Sequence, residues 1–254
     1  MAFRSIIIKE RCKLECSLNY LICRKGTEET RVLIDEIKLI IIESTQVSIT
    51  TSLIAKLTEN KVKIIFCDVN HNPISEITPY QNNYYSYRKI KEQINFVNDQ
   101  NDLWRIIIKE KILNQAYVLK ISDHIEEYNM LMSYYDDVEK GDTSNREGHS
   151  AKVYFNALFG KDFNRRNEFD PINKYLNYGY SLILASINRE IKALGYLTEL
   201  GIHHIGESNP FNLSCDLIEP LRPLIDSLVV KKIVNEDNYK MKYLELLSSQ
   251  VLYN

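Results

Sequence analysis

The chain has 254 residues, enough for one large domain or two modest ones, either with a real buried core. A hydrophobic fraction of 44% and a charged fraction of 26% exclude a disordered chain and a membrane-embedded one. A net charge of −2 speaks against broad electrostatic binding of nucleic acid, so any contact with DNA has to come from local basic clusters.

The opening stretch MAFRSIIIKE holds three consecutive isoleucines before Lys9 and Glu10, too short for a signal core or a membrane span. The expected location is therefore the cytoplasm, with no membrane attachment. Up to about Pro79 the chain runs through SIIIKE, KLECSL, YLICRK, TRVLI, LIIIE and VKIIFCD, short stretches rich in Ile and Val and parted by turn-like or charged residues. Such runs predict strands. One exception is residues 50–60, TTSLIAKLTEN, where Leu53, Ile54 and Leu57 follow helical spacing behind Thr50 or Thr51 as cap. Five cysteines without paired CxxC spacing indicate neither a disulfide framework nor a structural zinc site, and are read as reduced and mostly buried.

After Pro79 and the polar tract Gln81 to Asn83 the period becomes helical and stays so. Helices are predicted over about 85–97, 101–121, 123–136, 145–159, 216–232 and 237–252. The clearest spans Pro171 to Leu194, where Leu176, Tyr180, Ile183, Ile187, Ile191 and Leu194 recur at steps of three and four. Asp170 suits its cap, Pro171 its first turn and Gly195 its stop. The fold class is α+β: a small β-rich N-terminal domain over 1–79 and a larger all-α C-terminal domain over 80–254.

Three clusters in the helical half could carry chemistry. Ser144 and Glu147 fit a capping box, in which the glutamate turns back on its own helix; a carboxylate there beside Gly148 would equally suit a metal facing phosphate. The adjacent His203 and His204 point in different directions, so only one of them can readily join a given metal while the other packs. Asp216 and Glu219, three apart, share a helical face and flank one patch of surface, with Pro220 and Pro223 marking first turns or a kink. Their plainer role is to favour the positive end of that helix. Glu147, His204 and Glu219 together would make a mixed oxygen and nitrogen set suited to Mg²⁺ or Mn²⁺, the imidazole favouring Mn²⁺. Spacing alone does not bring Glu147 to the other two. Basic clusters fall at Arg88, Lys89 and Lys91 and at Lys161, Arg165 and Arg166, each equally readable as a solvated face.

These clusters also carry a resemblance. SNREGHSAKVYFNALFG, GIHH followed by FNLSCDLIEPLRPLID, the early LIDEIKLIIIEST, KILNQAY and the TPY ahead of the helical half resemble the CRISPR-associated spacer-acquisition integrase, the first numbered CRISPR-associated protein, in its type II form. The resemblance runs over essentially the whole chain. It implies a β-rich dimerisation domain, a helical catalytic domain, a homodimer, and assembly with a dimer of the second, smaller CRISPR-associated protein on double-stranded DNA. It implies insertion of foreign DNA beside a repeat of a CRISPR array, by attack of a 3′-hydroxyl on a phosphodiester. Carried over by motif, Glu147 of the EG pair, His204 of GIHH and Glu219 of DLIEP are the implied catalytic metal ligands, with Asp216 supporting. Nucleic-acid contacts are expected at Arg146, Lys152, Arg165 and Arg166. Family members continue past the helix that here ends at Tyr253 and Asn254, so a C-terminal tail is expected to be missing. Two other readings stand beside this one: a catalytically silent DNA-binding scaffold, and a metal hydrolase for small molecules with a closed apolar pocket.

Overall fold

The computed structural model describes residues 4–69, 73–77, 86–96, 100–235 and 237–248. Two compact units divide the chain, Met1–Asn82 with Ser248–Asn254 and Asn83–Leu247. The expected change of period at Pro79 and the Gln81 to Asn83 tract lies outside the described residues, as do Tyr253 and Asn254.

Strands dominate the first unit: β1 (Arg4–Ile8), β2 (Lys13–Ser17), β3 (Tyr20–Lys25), β4 (Glu28–Leu33), β5 (Ile37–Ile42), β6 (Ser48–Ile49), β7 (Lys63–Cys67) and β8 (Pro73–Ile77), with α1 (Thr51–Glu59) between β6 and β7. They form two four-stranded sheets, in the orders β1-β5-β7-β8 and β4-β3-β2-β6. Ile40 of β5 pairs with Ile6 of β1 and Ile64 of β7 in parallel register. That central position explains the apolar run 39–42 of β5, since a stretch covered on both faces cannot alternate with polar residues. In the other sheet β2, β3 and β4 are antiparallel. The β2–β3 turn places Leu18 and Asn19 at positive φ, the geometry that matches the twist of a two-residue hairpin. Helix α1 takes Thr50 as its cap, whose side chain accepts from the Leu53 amide at 3.3 Å, and buries Leu53 and Leu57 in the core. Both sheets feed that core, through Leu14 and Leu21 on one side and Ile37, Ile40 and Ile64 on the other. The expected strands are all present, and β6 and β8 were not foreseen. β6 has only two residues, and β8 opens on a proline and pairs at an edge, where proline is tolerated. All five cysteines are free, two buried and three half-buried.

Every element described in the second unit is helical: α2 (Ser86–Asn95), α3 (Gln100–Ile121), α4 (Ile125–Asp136), α5 (Arg146–Phe159), α6 (Pro171–Ala193), α7 (Asn212–Ile218), α8 (Arg222–Val230) and α9 (Tyr239–Ser248), with a 3₁₀ turn at Glu219–Leu221. Among the described residues no helix is long and apolar enough to cross a membrane. The helix expected over 216–232 begins four residues earlier and breaks at Glu219, because Pro220 has no amide hydrogen to continue the ladder. Helix α3 is the axis of the unit and packs on α4, α5, α7 and α8. It buries Trp104, Ile108, Ile112, Ala116 and Leu119, and with them Lys111 and Gln115. Helix α6 starts as expected, Asp170 accepting from the Ile172 amide at 2.8 Å, and stops at Gly195 with φ 83°. Leu194 lies beyond its last turn and is exposed.

Gly179 lets α6 and α8 touch: a Cβ there would stand 2.6 Å from Cγ2 of Ile225. Gly179→Ala is therefore expected to lower the unfolding free energy by about 1–3 kcal/mol, the usual cost of overpacking, as read by urea denaturation. An unchanged midpoint would refute the close approach.

Candidate active site

The site begins where α6 ends. Gln93 of α2 clamps the following segment, its Nε2 donating to the carbonyls of Leu197 and Leu200 at 2.9 and 3.1 Å while Oε1 accepts from the Leu197 amide at 2.9 Å. The GIHH stretch then wraps around Asp216. This carboxylate, wholly buried in α7, accepts backbone N–H bonds from Ile202, His203 and His204 at 2.5, 3.1 and 3.1 Å, and faces Nδ1 of His204 at 2.6 Å. Gly201 makes the wrap possible, since a Cβ there would fall 2.2 Å from the His204 carbonyl oxygen. The adjacent imidazoles part company: His203 stacks on Trp104 with centroids 4.1 Å apart, and His204 stands at 88° to it.

The patch that Asp216 and Glu219 were expected to flank does not form. Asp216 is spent on the loop, and the 3₁₀ turn carries Glu219 elsewhere, toward α3. Asn114 of α3 holds that turn by donating to the Pro220 carbonyl at 2.8 Å. The capping box at Ser144 is also absent. Asp142 takes the amides of Arg146 and Glu147 at 2.8 and 3.0 Å, Asn145 takes that of Gly148 at 3.3 Å, and the buried Ser144 hydroxyl has no partner. With its amide satisfied by Asp142, Glu147 sends its carboxylate to Lys111 instead.

Glu147 and Glu219 thus meet on one cation. Nζ of Lys111 lies 2.6 Å from Oε1 of Glu147 and 2.5 Å from Oε2 of Glu219, and Nε of Arg222 lies 2.9 Å from Oε1 of Glu219. Burial alone would raise the Glu219 pKa, but the charges of Lys111 and Arg222 outweigh it and hold the group below the usual value. For His204 the order differs. The hydrogen bond to Asp216 raises its pKa above 6.5, partial burial opposes this, and the charges of Asp216, Glu219 and Glu147 add to the rise. Both glutamates are therefore within electrostatic reach of the ring. They line a cavity of about 200 Å³ with Lys111, Gln115, Arg222 and Asp226. Burial pushes the Asp226 carboxyl up to about 6, against the hydrogen bonds it accepts from Tyr180 and Tyr154. His204 faces a separate, larger cavity of about 940 Å³ with Leu200, Ile205 and Leu213. Among the described residues no three His, Cys, Asp or Glu side chains are placed to hold a metal ion: the Lys111 ammonium lies between the two glutamates, and His204 lines the other cavity. The donor set still fits a divalent cation in kind, being two carboxylates already closed on a positive charge.

The basic residues divide. Arg146 pairs with Asp137 at 3.3 Å and lies over the Tyr134 ring, and Arg165 is held by Asn173 and, at 2.8 Å, Asn177. Lys152 and Arg166 are exposed. Sequence reasoning missed Lys111. Its signal is a lysine at a core position of α3, since Ile108, Lys111, Ile112 and Gln115 fall at the spacing of one buried stripe.

The chain matches the family model described as "CRISPR associated protein Cas1" over residues 6–252. The "CRISPR-associated endonuclease Cas1" of Neisseria meningitidis serogroup C (strain 8013) is 36% identical over 231 residues, covering 91% of this chain and 76% of the relative. The structure of a "Casposase bound to integration product" superposes with TM-score 0.74 at 21% identity, over 92% of this chain and 75% of that one. A "Cas6-RT-Cas1--Cas2 complex" gives TM-score 0.74 at 18% identity, over 92% of this chain and 28% of that much longer one. The two structures share the fold.

Asp216→Asn is expected to bring the His204 pKa down toward 6.5, as read by NMR titration of the imidazole. Because the folded pKa lies above the unfolded one, this pair's contribution to stability is full below about 6.5 and lost as pH rises through the folded value. The stability gap between wild type and Asp216→Asn should narrow over that rise. A His204 titration identical in both proteins would refute the pairing.

Proposed function

From its membership of the Cas1 family of CRISPR-associated proteins, to which the chain belongs, we propose that it is a divalent-metal-dependent DNA integrase and endonuclease that inserts foreign DNA fragments into a CRISPR array. The observation that carries this reading is the convergence of Glu147 and Glu219, remote in sequence from each other, on a single cation, with the charge of both felt at His204. The relative's name, an endonuclease, and the integration product bound by the casposase agree with phosphodiester chemistry on double-stranded DNA.

In this reading Glu147, Glu219 and His204 are the residues that would hold Mg²⁺ or Mn²⁺. Asp216 positions the ring: when it is neutral, its Nδ1–H donates to the carboxylate and Nε2 keeps its lone pair. The bound metal supplies positive charge against the phosphodiester and the attacking oxygen. The 3′-oxygen of the incoming strand bonds to phosphorus and loses its proton to solvent, and the bond from phosphorus to the repeat strand's own 3′-oxygen breaks, leaving a hydroxyl there. Water in place of the 3′-hydroxyl gives strand cleavage at the same site. Lys152 and Arg166, both exposed, are suited to contact phosphate; Arg146 and Arg165 serve the protein's own packing first. The β-rich unit joins two copies into a homodimer, the helical unit is catalytic, and the second, smaller CRISPR-associated protein is the partner, in keeping with the complex that shares this fold. The cytoplasm is the site of action.

A second reading, a catalytically silent DNA-binding scaffold, is favoured by one observation: Lys111 fills the space between the two glutamates. A joining assay with a DNA fragment, a repeat-bearing plasmid, the small partner and Mn²⁺ separates the two. Under the integrase reading Glu147→Ala, His204→Ala and Glu219→Ala each reduce joining by about 10²-fold or more with unchanged circular dichroism. Salt-sensitive DNA binding by the wild type with no joining under Mg²⁺ or Mn²⁺ would establish the scaffold instead.

A further inference from the structure

Lys111 has no part in the mechanism above, yet its place is narrowly defined. Its side chain is 9% exposed, in a helix stripe otherwise given to Trp104, Ile108 and Ile112. A lysine there is tolerable only with its charge met, and Glu147 and Glu219 meet it. The carboxylate pair needs Lys111 equally. Without it Glu147 would keep no cation partner in a cavity of about 200 Å³ that also holds Glu219 and Asp226, since Arg222 pairs with Glu219 and Arg165 is held by Asn173 and Asn177. A divalent ion on the same two carboxylates would lie against the ammonium at contact distance, where like charges in a poorly solvated site repel strongly. Lysine and metal therefore exclude each other. One turn along α3, Gln115 lines the same cavity at 2% exposure, and its Oε1 is buried without a hydrogen-bond partner. Helical side chains lean toward the N-terminus, so the amide of Gln115 reaches back over Lys111, four residues earlier.

We propose that Lys111 is an exchangeable counter-cation: it holds Glu147 and Glu219 together until a divalent metal ion displaces it, and its ammonium then turns to the vacant acceptor of Gln115. Resting on the reading of those glutamates as metal ligands, this adds a control to the site. The pocket is assembled before metal arrives, and the affinity for metal is set by how firmly Lys111 is held. Held by Gln115, the displaced ammonium keeps its positive charge beside the site and has donors left for a phosphate oxygen.

The test is Mn²⁺ binding, followed by electron paramagnetic resonance of free Mn²⁺, in the whole chain and its variants. Lys111→Met removes the competitor and is expected to bind Mn²⁺ at least about tenfold more tightly than wild type, with a larger upward shift of the thermal midpoint on adding metal. Lys111→Arg keeps the charge and should bind no more tightly than wild type. Equal or weaker binding by Lys111→Met, where wild type binds and Glu147→Gln does not, overturns the exchange and leaves the metal site standing. Absence of Mn²⁺ binding in wild type and Lys111→Met alike, or binding indifferent to Glu147→Gln, overturns the metal site and the exchange with it. Should Lys111→Met fail to fold, wild type alone decides: Mn²⁺ should speed acetylation of Lys111, read by peptide mass spectrometry, and flat labelling overturns the proposal.

Discussion

The geometry of the candidate site hangs on one buried carboxylate. Asp216 has no exposure, and an ion so placed is tolerable only when its oxygens are met by donors. Three consecutive backbone amides and an imidazole meet it. This gathers a loop with no regular structure of its own into a single path, and it fixes where the His204 ring can lie. Trp104 completes the constraint from α3, since His203 stacked on it cannot turn without losing a large aromatic contact. Two neighbouring histidines are thereby given opposite fates by a carboxylate and a ring.

The acidic pair is built on a different principle. Glu147 and Glu219 come from helix starts far apart in sequence, and neither is used to cap its own helix. For Glu147 the reason is that the cap is Asn145, which puts the glutamate one place too early for a capping box, while Asp142 and Asn145 take the amides of Arg146, Glu147 and Gly148. For Glu219 it is Pro220, which interrupts the helix between α7 and α8 and sets the carboxylate against α3 rather than along the face that carries Asp216. Asn114 donates to the carbonyl of Pro220 itself and so ties the turn to α3. Such groups cost stability wherever they stand in a core. Their collection here, with Lys111, Arg222 and Asp226, concentrates charged groups around one small cavity, the kind of place where candidate sites are sought.

That pattern was only partly legible in the sequence. The Ile-rich runs announced β1, β5 and β7 because each carries at least three consecutive apolar residues, and Pro171 with Gly195 marked α6 because both ends use backbone chemistry that few other residues supply. β8 escaped because Ser75 and Glu76 break the apolar pattern on an edge. At the site, helical arithmetic misled. It put Asp216 and Glu219 on one face, which is sound for an unbroken helix and fails across a 3₁₀ turn. It read Ser144 as a cap, whereas Asn145 in the left-handed region displaces it. Local chemistry made Glu147 a possible ligand, but only the family motif tied it to the other two, since no local rule brings it to residues so far along the chain. Lys111 needed no family knowledge. A charged residue at a stripe position is a question that the sequence poses by itself, and the answer is the pair of acids facing it.

These two arrangements are independent in construction. The histidine is held by amides and a carboxylate within the loop and α7, and the glutamates are held by cations from α3 and α8. No direct hydrogen bond links the two among the described residues; what joins them is the field of the glutamates at His204. Such a field acts without contact, so the imidazole senses the charge held between the carboxylates. The Lys111 ammonium and the Arg222 guanidinium already answer much of that negative charge, and what is left of it favours a proton on His204, so a change in the charge held by the pair is felt at the ring. The protonation of the third proposed ligand is in this way tied to what the first two hold, and a ring freed of its extra proton is the form that can offer a lone pair.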